Sequence, residues 1–524
     1  MLRLFFIGTA LVALAIFNAA AATLPVVRPP VKDRTFQSTA VDNLITTLSP
    51  LFANPDLAAL FTNCLPNTLD TTVYYHTPAS EANSTNLDTF VITGDIEAMW
   101  LRDSSNQVLP YIPYATSDPD LQLMLEGLIA RQAKSVLIDP FANAFNFKAS
   151  GQGHQSDTRK PPMGPAVFEG KYEIDSLAAF LKLSYWHWRY SGDAALVRFA
   201  TSSWLDAVGK LIDTVQKMQR DSGQSPDSPY LFGRVTSEAL DTLSVQTRGP
   251  PARPHHPKGA SQEVWGLTRS LFRPSDDAVT LPYNIPGNAM ICVELNHLQE
   301  LLTHLESQAS DSTASQVKSL LQQARLTATG ICSSLKDVLH TSGLTESSLP
   351  YEIDGFGGQY YMDDANVPSL LSLPVLGYLS SENAAYARTR AAVLSDANPY
   401  FFSGTQGKGI GGPHEGVNYT WPMALITQAM TSNDDNEVTW CLDLLVRSSA
   451  GTGLMHEAFD VNNVGRYTRS WFAWANGLLG ELLLQLIVTK PHLVLVDDAE
   501  AVKTAQAAVQ VPICLAAQRE VLVK

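Results

Sequence analysis

Three short segments, far apart in the chain, hold carboxylates beside cationic or aromatic side chains. They are Trp100-Leu101-Arg102-Asp103, Arg273-Pro274-Ser275-Asp276-Asp277, and Met455-His456-Glu457, which leads into an aromatic run from Tyr467 to Trp474. Cleaving a glycosidic bond needs one carboxylic acid to protonate the departing oxygen and a second carboxylate to act on water or on the sugar. The adjacent acids beside Arg273 suit the first role, because like charge and burial raise one pKa while the arginine keeps the other acid ionised. Glu457 suits the second, with His456 and Tyr467 or Arg469 holding it in a pocket that water still reaches. Trp100 offers a flat apolar face for a sugar ring, and an Arg102–Asp103 pair can bridge neighbouring hydroxyls.

Each motif also has a plain structural explanation. Ser275 or Asp276 can cap a helix, Glu457 can sit at a helix N-terminus, and Arg102 with Asp103 can be a simple ion pair. His154, Glu173, Asp175, Asp363, Asp364, His414, Trp421 and Trp474 are further candidates, each accounted for singly by packing or solvation.

The elements that must position these groups are helical. Apolar residues recur every three or four positions in 41–60, 121–137, 174–190, 196–218, 290–305, 317–339, 437–446 and 471–487, with no alternation of strand and helix. Long Gly-, Pro- and aromatic-rich loops separate them at 139–172, 221–263, 351–374 and 400–419. Loops of that length are usually functional, although 221–263, with Arg248-Gly249-Pro250-Pro251 and His255-His256-Pro257, is polar enough to be a surface excursion. Paired helices without a composition break predict an all-α toroid of helical hairpins, an (α/α) barrel whose loops converge on a central pocket. A helical-repeat solenoid would need a fixed period, and none is visible.

The chain has 524 residues, 45% of them hydrophobic, and a formal net charge of −15, so it can bury a large core and lacks the clustered cations that nucleic acid or an anionic membrane requires. Residues 1–22 read as a signal peptide: Arg3, an apolar stretch from Leu4 to Phe17, then small residues up to Ala22. That stretch is shorter than the roughly 20 residues of a spanning helix, so a secreted chain free of the membrane after cleavage is expected, with residues 23–524 as one catalytic domain. Five scattered cysteines permit at most two disulfides of unspecified pairing and form no metal-binding pattern. Asn83-Ser84-Thr85 and Asn418-Tyr419-Thr420 are glycosylation sequons.

The motifs together resemble a known family. Thr93-Gly94-Asp95-Ile96 through Ser104, Phe272 to Ala278, Tyr283-Asn284-Ile285-Pro286, Gly409 to His414, Met455-His456-Glu457 and Ser470 to Asn476 are similar, in that order, to the metal-independent α-1,6-mannosidases of glycoside hydrolase family 125. The likeness spans about residues 40–490 and implies an exo-acting, inverting enzyme on an (α/α)6 barrel, using an aspartic acid, a glutamic acid and no metal or other cofactor. It carries the acid to Asp276 or Asp277, with a preference for Asp276, and the base to Glu457. Trp100, Arg102, Asp103, Arg273, His414, His456 and Trp474 are the expected sugar contacts. An inverting pair should stand roughly 6.5–9.5 Å apart. The implied partners are α-1,6-linked mannose oligosaccharides or mannosylated glycans, with no nucleic acid and no obligate protein partner. Departures from the pattern are the 221–263 insertion and the tail after Pro491. The alternatives are a glycosidase for another α-linked sugar, a calcium-dependent α-mannosidase, for which no oxygen-rich loop is recognisable, and a catalytically silent mannose-binding protein.

Overall fold

The computed structural model describes residues 24–83, 86–219, 229–235, 244–247, 266–308 and 311–523. The signal-peptide expectation, the Ser84-Thr85 half of the first sequon, and the Arg248–Pro251 and His255–Pro257 excursion lie outside these residues. Among the described residues, no helix is long and apolar enough to cross a membrane.

Inner and outer elements alternate along the chain. Helix Leu101–Val108 packs between Ile174–Ser191 and Ala473–Thr489; Ile174–Ser191 also meets Ile285–Gln308, and Ala473–Thr489 meets Pro422–Met430. Chain order and burial give the sixth inner position to 362–379, a fully buried stretch that runs in turns instead of a helix. Around this ring stand Pro119–Ile138, Ser202–Met218, Asp311–Leu344, Ala384–Val393, Asp435–Ser448 and the N-terminal helices Thr39–Leu48 and Pro55–Cys64. Neighbours in the outer ring touch, and Arg390 pairs with Glu437 at 2.9 Å across one seam. This is the expected (α/α)6 barrel, and its apolar core is continuous around both rings.

Several boundaries differ from the periodic pattern, for local reasons. The stretch 41–60 is two helices, because Pro50 lacks an N–H and the chain passes through a short turn, Ser49–Leu51, before Asn54 caps the next helix by accepting from Asp56 and Leu57. The stretch 196–218 breaks at Ala200, and Thr201 caps the second piece by accepting from the Trp204 amide. A disulfide joins Cys292 to Cys332, tying helix Ile285–Gln308 to Asp311–Leu344, while Cys64, Cys441 and Cys514 are free and buried.

Small antiparallel sheets tie the loops at one end of the barrel. Met99–Trp100 pairs with Ala144–Phe145, which pairs with Val167–Glu169. Tyr283–Asn284, Glu352–Ile353 and Gln359–Tyr360 form a second sheet, and Tyr419–Thr420, Phe459–Asp460 and Asn463–Tyr467 a third. Each sheet holds a loop that leads into the N-terminus of an inner element, so side chains on these loops meet over the barrel axis.

Candidate active site

A small, largely polar recess opens at that end. Its lining includes Trp100, Arg102, Asp103, Asp276, His414, Trp421, Glu457, Arg469 and Trp474. These residues come from four segments, 100–103, 276, 414–421 and 457–474, each leading into or opening an inner helix. Helix N-termini carry partial positive charge, which offsets part of the acidity gathered here.

The turn that bears the two aspartates settles their directions. The Arg273 amide donates to the Asp277 carbonyl at 2.7 Å and the Asp276 amide to the Arg273 carbonyl at 2.9 Å, and Asp276 at the tip has φ +75°. Aspartate tolerates this left-handed conformation better than most residues, yet it costs free energy and is typical of functional loops. Successive side chains are thereby driven apart. Asp276 lines the recess, with Oδ1 accepting from Asn143 Nδ2 at 3.2 Å and 4.0 Å from Arg102 Nη2. Asp277 turns behind the wall to His414, 3.3 Å away. No helix begins here, so neither Ser275 nor Asp276 is a cap; the Ser275 hydroxyl donates to Asp364 at 2.8 Å.

Arg102 is buried against four acids: Glu173 at 2.6 Å, Asp103 at 3.1 Å, Asp175 at 3.2 Å and Asp276 at 4.0 Å, with the Trp474 ring 5.6 Å from its guanidinium carbon. Burial raises the carboxyls of Asp103, Asp175 and Glu173 above their ordinary range, Glu173 furthest, against the pull of Arg102. For Asp276 burial is outweighed by Lys171, Glu173, Arg102 and His414, which hold it below the usual carboxylate range.

Glu457 faces this cluster from a loop held on both sides. It does not stand just before the aromatic helix, because the hairpin Phe459–Asp460 and Asn463–Tyr467 intervenes and helix Ala473–Thr489 follows. Arg469 Nε lies 2.8 Å from Glu457 Oε2, and Arg469 also pairs with Asp95 at 3.0 Å. Burial pushes Glu457 up to about 8, with Arg469 and His414 opposing the rise and Glu415 adding to it. His414 is raised to about 10: burial would lower it, but Asp277, Glu457 and Asp276 prevail. His414, Glu415 and Glu457 bring ligand-type atoms within 4.8 Å of one another. With His414 held as a cation and Glu457 paired to Arg469, this set is an ion-pair cluster and a poor cation cage.

Among the described residues, two indole N–H groups, of Trp100 and Trp421, are buried without a protein acceptor. Buried donors ordinarily find partners, and a sugar hydroxyl supplies one. Gly94, at φ +136°, lets the 93–100 loop lie against Trp471, whose ring would stand 3.1 Å from an added Cβ.

The model of the metal-independent α-mannosidase family matches residues 54–484. The chain belongs to glycoside hydrolase family 125. Among solved structures, it is similar to a metal-independent α-mannosidase of Streptococcus pneumoniae, determined as a non-productive complex with α-1,6-mannobiose: TM-score 0.69, 34% identity, 85% of this chain and 96% of that one. It is also 43% identical over 487 residues, 90% of each chain, to the meiotically up-regulated gene 157 protein of Schizosaccharomyces pombe. The chain is thus a glycoside hydrolase of an α-mannosidase family on a helical barrel.

Of the residues singled out in this family-125 sequence, Trp100, Arg102, Asp103, Asp276, His414, Glu457 and Trp474 share the recess, and Arg273, Asp277 and His456 do not line it. Arg273 points away to Glu352 at 2.7 Å, whose other oxygen accepts from the Thr280 and Leu281 amides at 2.9 Å each. It therefore anchors the aspartate turn. His456 stacks on Tyr467 with ring centroids 3.6 Å apart and faces the carbonyls of Arg469 and Ser449, so it shapes the loop that carries Glu457. Asn143, Lys171, Glu169 and Glu415 escaped notice in the sequence. Only the clustering of Asn143, Glu169 and Lys171 in one long loop hints at them.

Proposed function

We propose that this enzyme is an exo-acting α-1,6-mannosidase that hydrolyses with inversion, Asp276 protonating the departing oxygen and Glu457 activating water. The observation that carries the reading is that Asp276 and Glu457, from distant segments, face one recess while Asp277 is turned out of it to His414. The α-1,6-mannobiose bound by the S. pneumoniae relative supports the linkage, and the few indole and guanidinium groups around the recess suit one terminal sugar ring. As the C1–O bond breaks, its electron pair goes to the leaving oxygen, which takes the proton from Asp276. Water adds at C1 from the opposite face and gives a proton to Glu457. Arg469 and His414 stabilise the ionised glutamate that must start the reaction.

Proton NMR of α-1,6-mannobiose hydrolysis, with chelator present, tests this reading. β-Mannose should appear first and equilibrate later, and α-1,6-mannotriose should release mannose units only from its non-reducing end. Initial α-mannose would overturn single displacement, and absence of turnover would favour another α-linkage or a mannose-binding role.

The reading includes a secretory route. The Leu4–Phe17 apolar stretch with small residues behind it supports a cleaved signal, and a disulfide such as Cys292–Cys332 persists in oxidising compartments. N-terminal sequencing of the protein from its native host should begin near Thr23; a chain retaining Met1 would refute cleavage.

A further inference from the structure

We propose that Glu173 is a positioning residue for the acid, sharing a single proton with Asp276 inside a buried carboxyl pair. This rests on the reading of Asp276 as the proton donor. The Asn143 amide nitrogen lies 3.0 Å from Glu169 Oε2, 3.1 Å from Glu173 Oε1 and 3.2 Å from Asp276 Oδ1. A primary amide has two hydrogens, so it cannot serve three ionised carboxylates at once. A proton on one of the three relieves that competition, and their surroundings point to which.

Glu169 has partners of its own, with Arg234 at 2.8 Å, Lys171 at 3.5 Å and the His154 ring at 3.5 Å. Glu173 is fully buried, and its Oε2 accepts from Arg102 at 2.6 Å and from Ser176 at 3.1 Å, leaving Oε1 toward Asn143 and Asp276. Arg102 must be divided among Glu173, Asp175, Asp103 and Asp276. Besides Arg102, the groups acting on the pair are Lys171 and Glu169 from the strand region, Asp103 and Asp175 from the two inner helices, and His414 from across the recess. Two carboxylates sharing one site hold one proton between them, because both cannot ionise cheaply. The opposed displacements, Glu173 upward and Asp276 downward, agree with this geometry.

An ionised Asp276 cannot protonate a leaving group by itself. In the shared arrangement the Glu173 proton passes to the Asp276 carboxylate and from there to the glycosidic oxygen as the C1–O bond breaks. Water that adds to C1 loses its proton to Glu457, Glu457 releases it to solvent, and the pair recovers one from solvent. Protons balance over the cycle.

The test compares Glu173→Gln with wild type on two substrates, α-1,6-mannobiose and dinitrophenyl α-mannoside, whose leaving group departs without protonation. The glutamine keeps the shape but donates permanently to Asp276, holding it ionised. We expect kcat on mannobiose to fall about 100-fold or more, as for loss of a general acid, with less than about a tenfold loss on the activated mannoside. The falling limb of kcat/KM should also move to lower pH. Equal losses on both substrates with an unmoved limb, or wild-type rates on both, overturn the proposal. The rate ratio does not depend on how much protein folds. Should Glu173→Gln not accumulate, Asn143→Ser breaks the bridge instead and must show the same selectivity. Asp276→Asn is the reference: if it lacks leaving-group selectivity, the assignment of the acid fails, and if it alone has it, only the shared proton fails.

Discussion

Replacing Glu457 by glutamine leaves a folded protein that holds mannosides and does not turn them over. The amide matches the carboxylate in shape, so Arg469 keeps an acceptor and the loop retains its His456–Tyr467 stack. What disappears is the group that takes a proton from water in the proposed mechanism. A positioned base contributes about 10²–10⁴ in rate, so kcat should fall about 1,000-fold on α-1,6-mannobiose and on dinitrophenyl α-mannoside alike, because water must be activated whatever the leaving group. Calorimetric mannose affinity should stay within about tenfold, since uniform binding is untouched. Retained turnover on either substrate would remove Glu457 from the reaction. The wild-type pH profile carries the same residue: the ionised form acts, and burial moves Glu457 up toward about 8. The rate should therefore rise with pH through a value above the ordinary glutamate range, and that limb should be absent from the glutamine variant.

The barrel was readable from the long amphipathic helices, and the places where reading failed share a cause. Helix Leu101–Val108 has all eight residues buried although most are polar, and Pro422–Met430 is buried throughout. Buried on every side, these two inner helices lack the apolar-inside, polar-outside pattern that periodicity detects, although the inner stretches 174–190, 290–305 and 471–487 were legible by their spacing. The polar run Arg102-Asp103-Ser104-Ser105-Asn106-Gln107 nevertheless had a signal of its own, since a buried polar helix needs partners at its mouth. At the site, the types of Arg102, Asp276 and Glu457 pointed to the chemistry proposed here, but direction did not follow from type. Asp276 and Asp277 are neighbours in sequence, and only the left-handed tip residue separates them in space. Arg273 looked like the counter-ion of the acid. Glu352, 79 positions later, takes it instead, a pairing that local sequence cannot contain.

Asp276→Asn should lose activity in proportion to how much help the leaving group needs. On α-1,6-mannobiose the departing alkoxide requires a proton, and without a donor kcat should drop about 100- to 10,000-fold. On dinitrophenyl α-mannoside the phenolate leaves unaided, so the loss should remain within about tenfold. Asp277→Asn supplies the contrast. It removes the carboxylate that keeps His414 charged, which weakens the field around Glu457 and so slows both substrates together. The adjacent aspartates are thereby told apart by a pattern of rates. If Asp277→Asn shows the leaving-group selectivity and Asp276→Asn does not, the turn must reverse its two side chains during catalysis, and the acid is the residue that faces His414 in this structure.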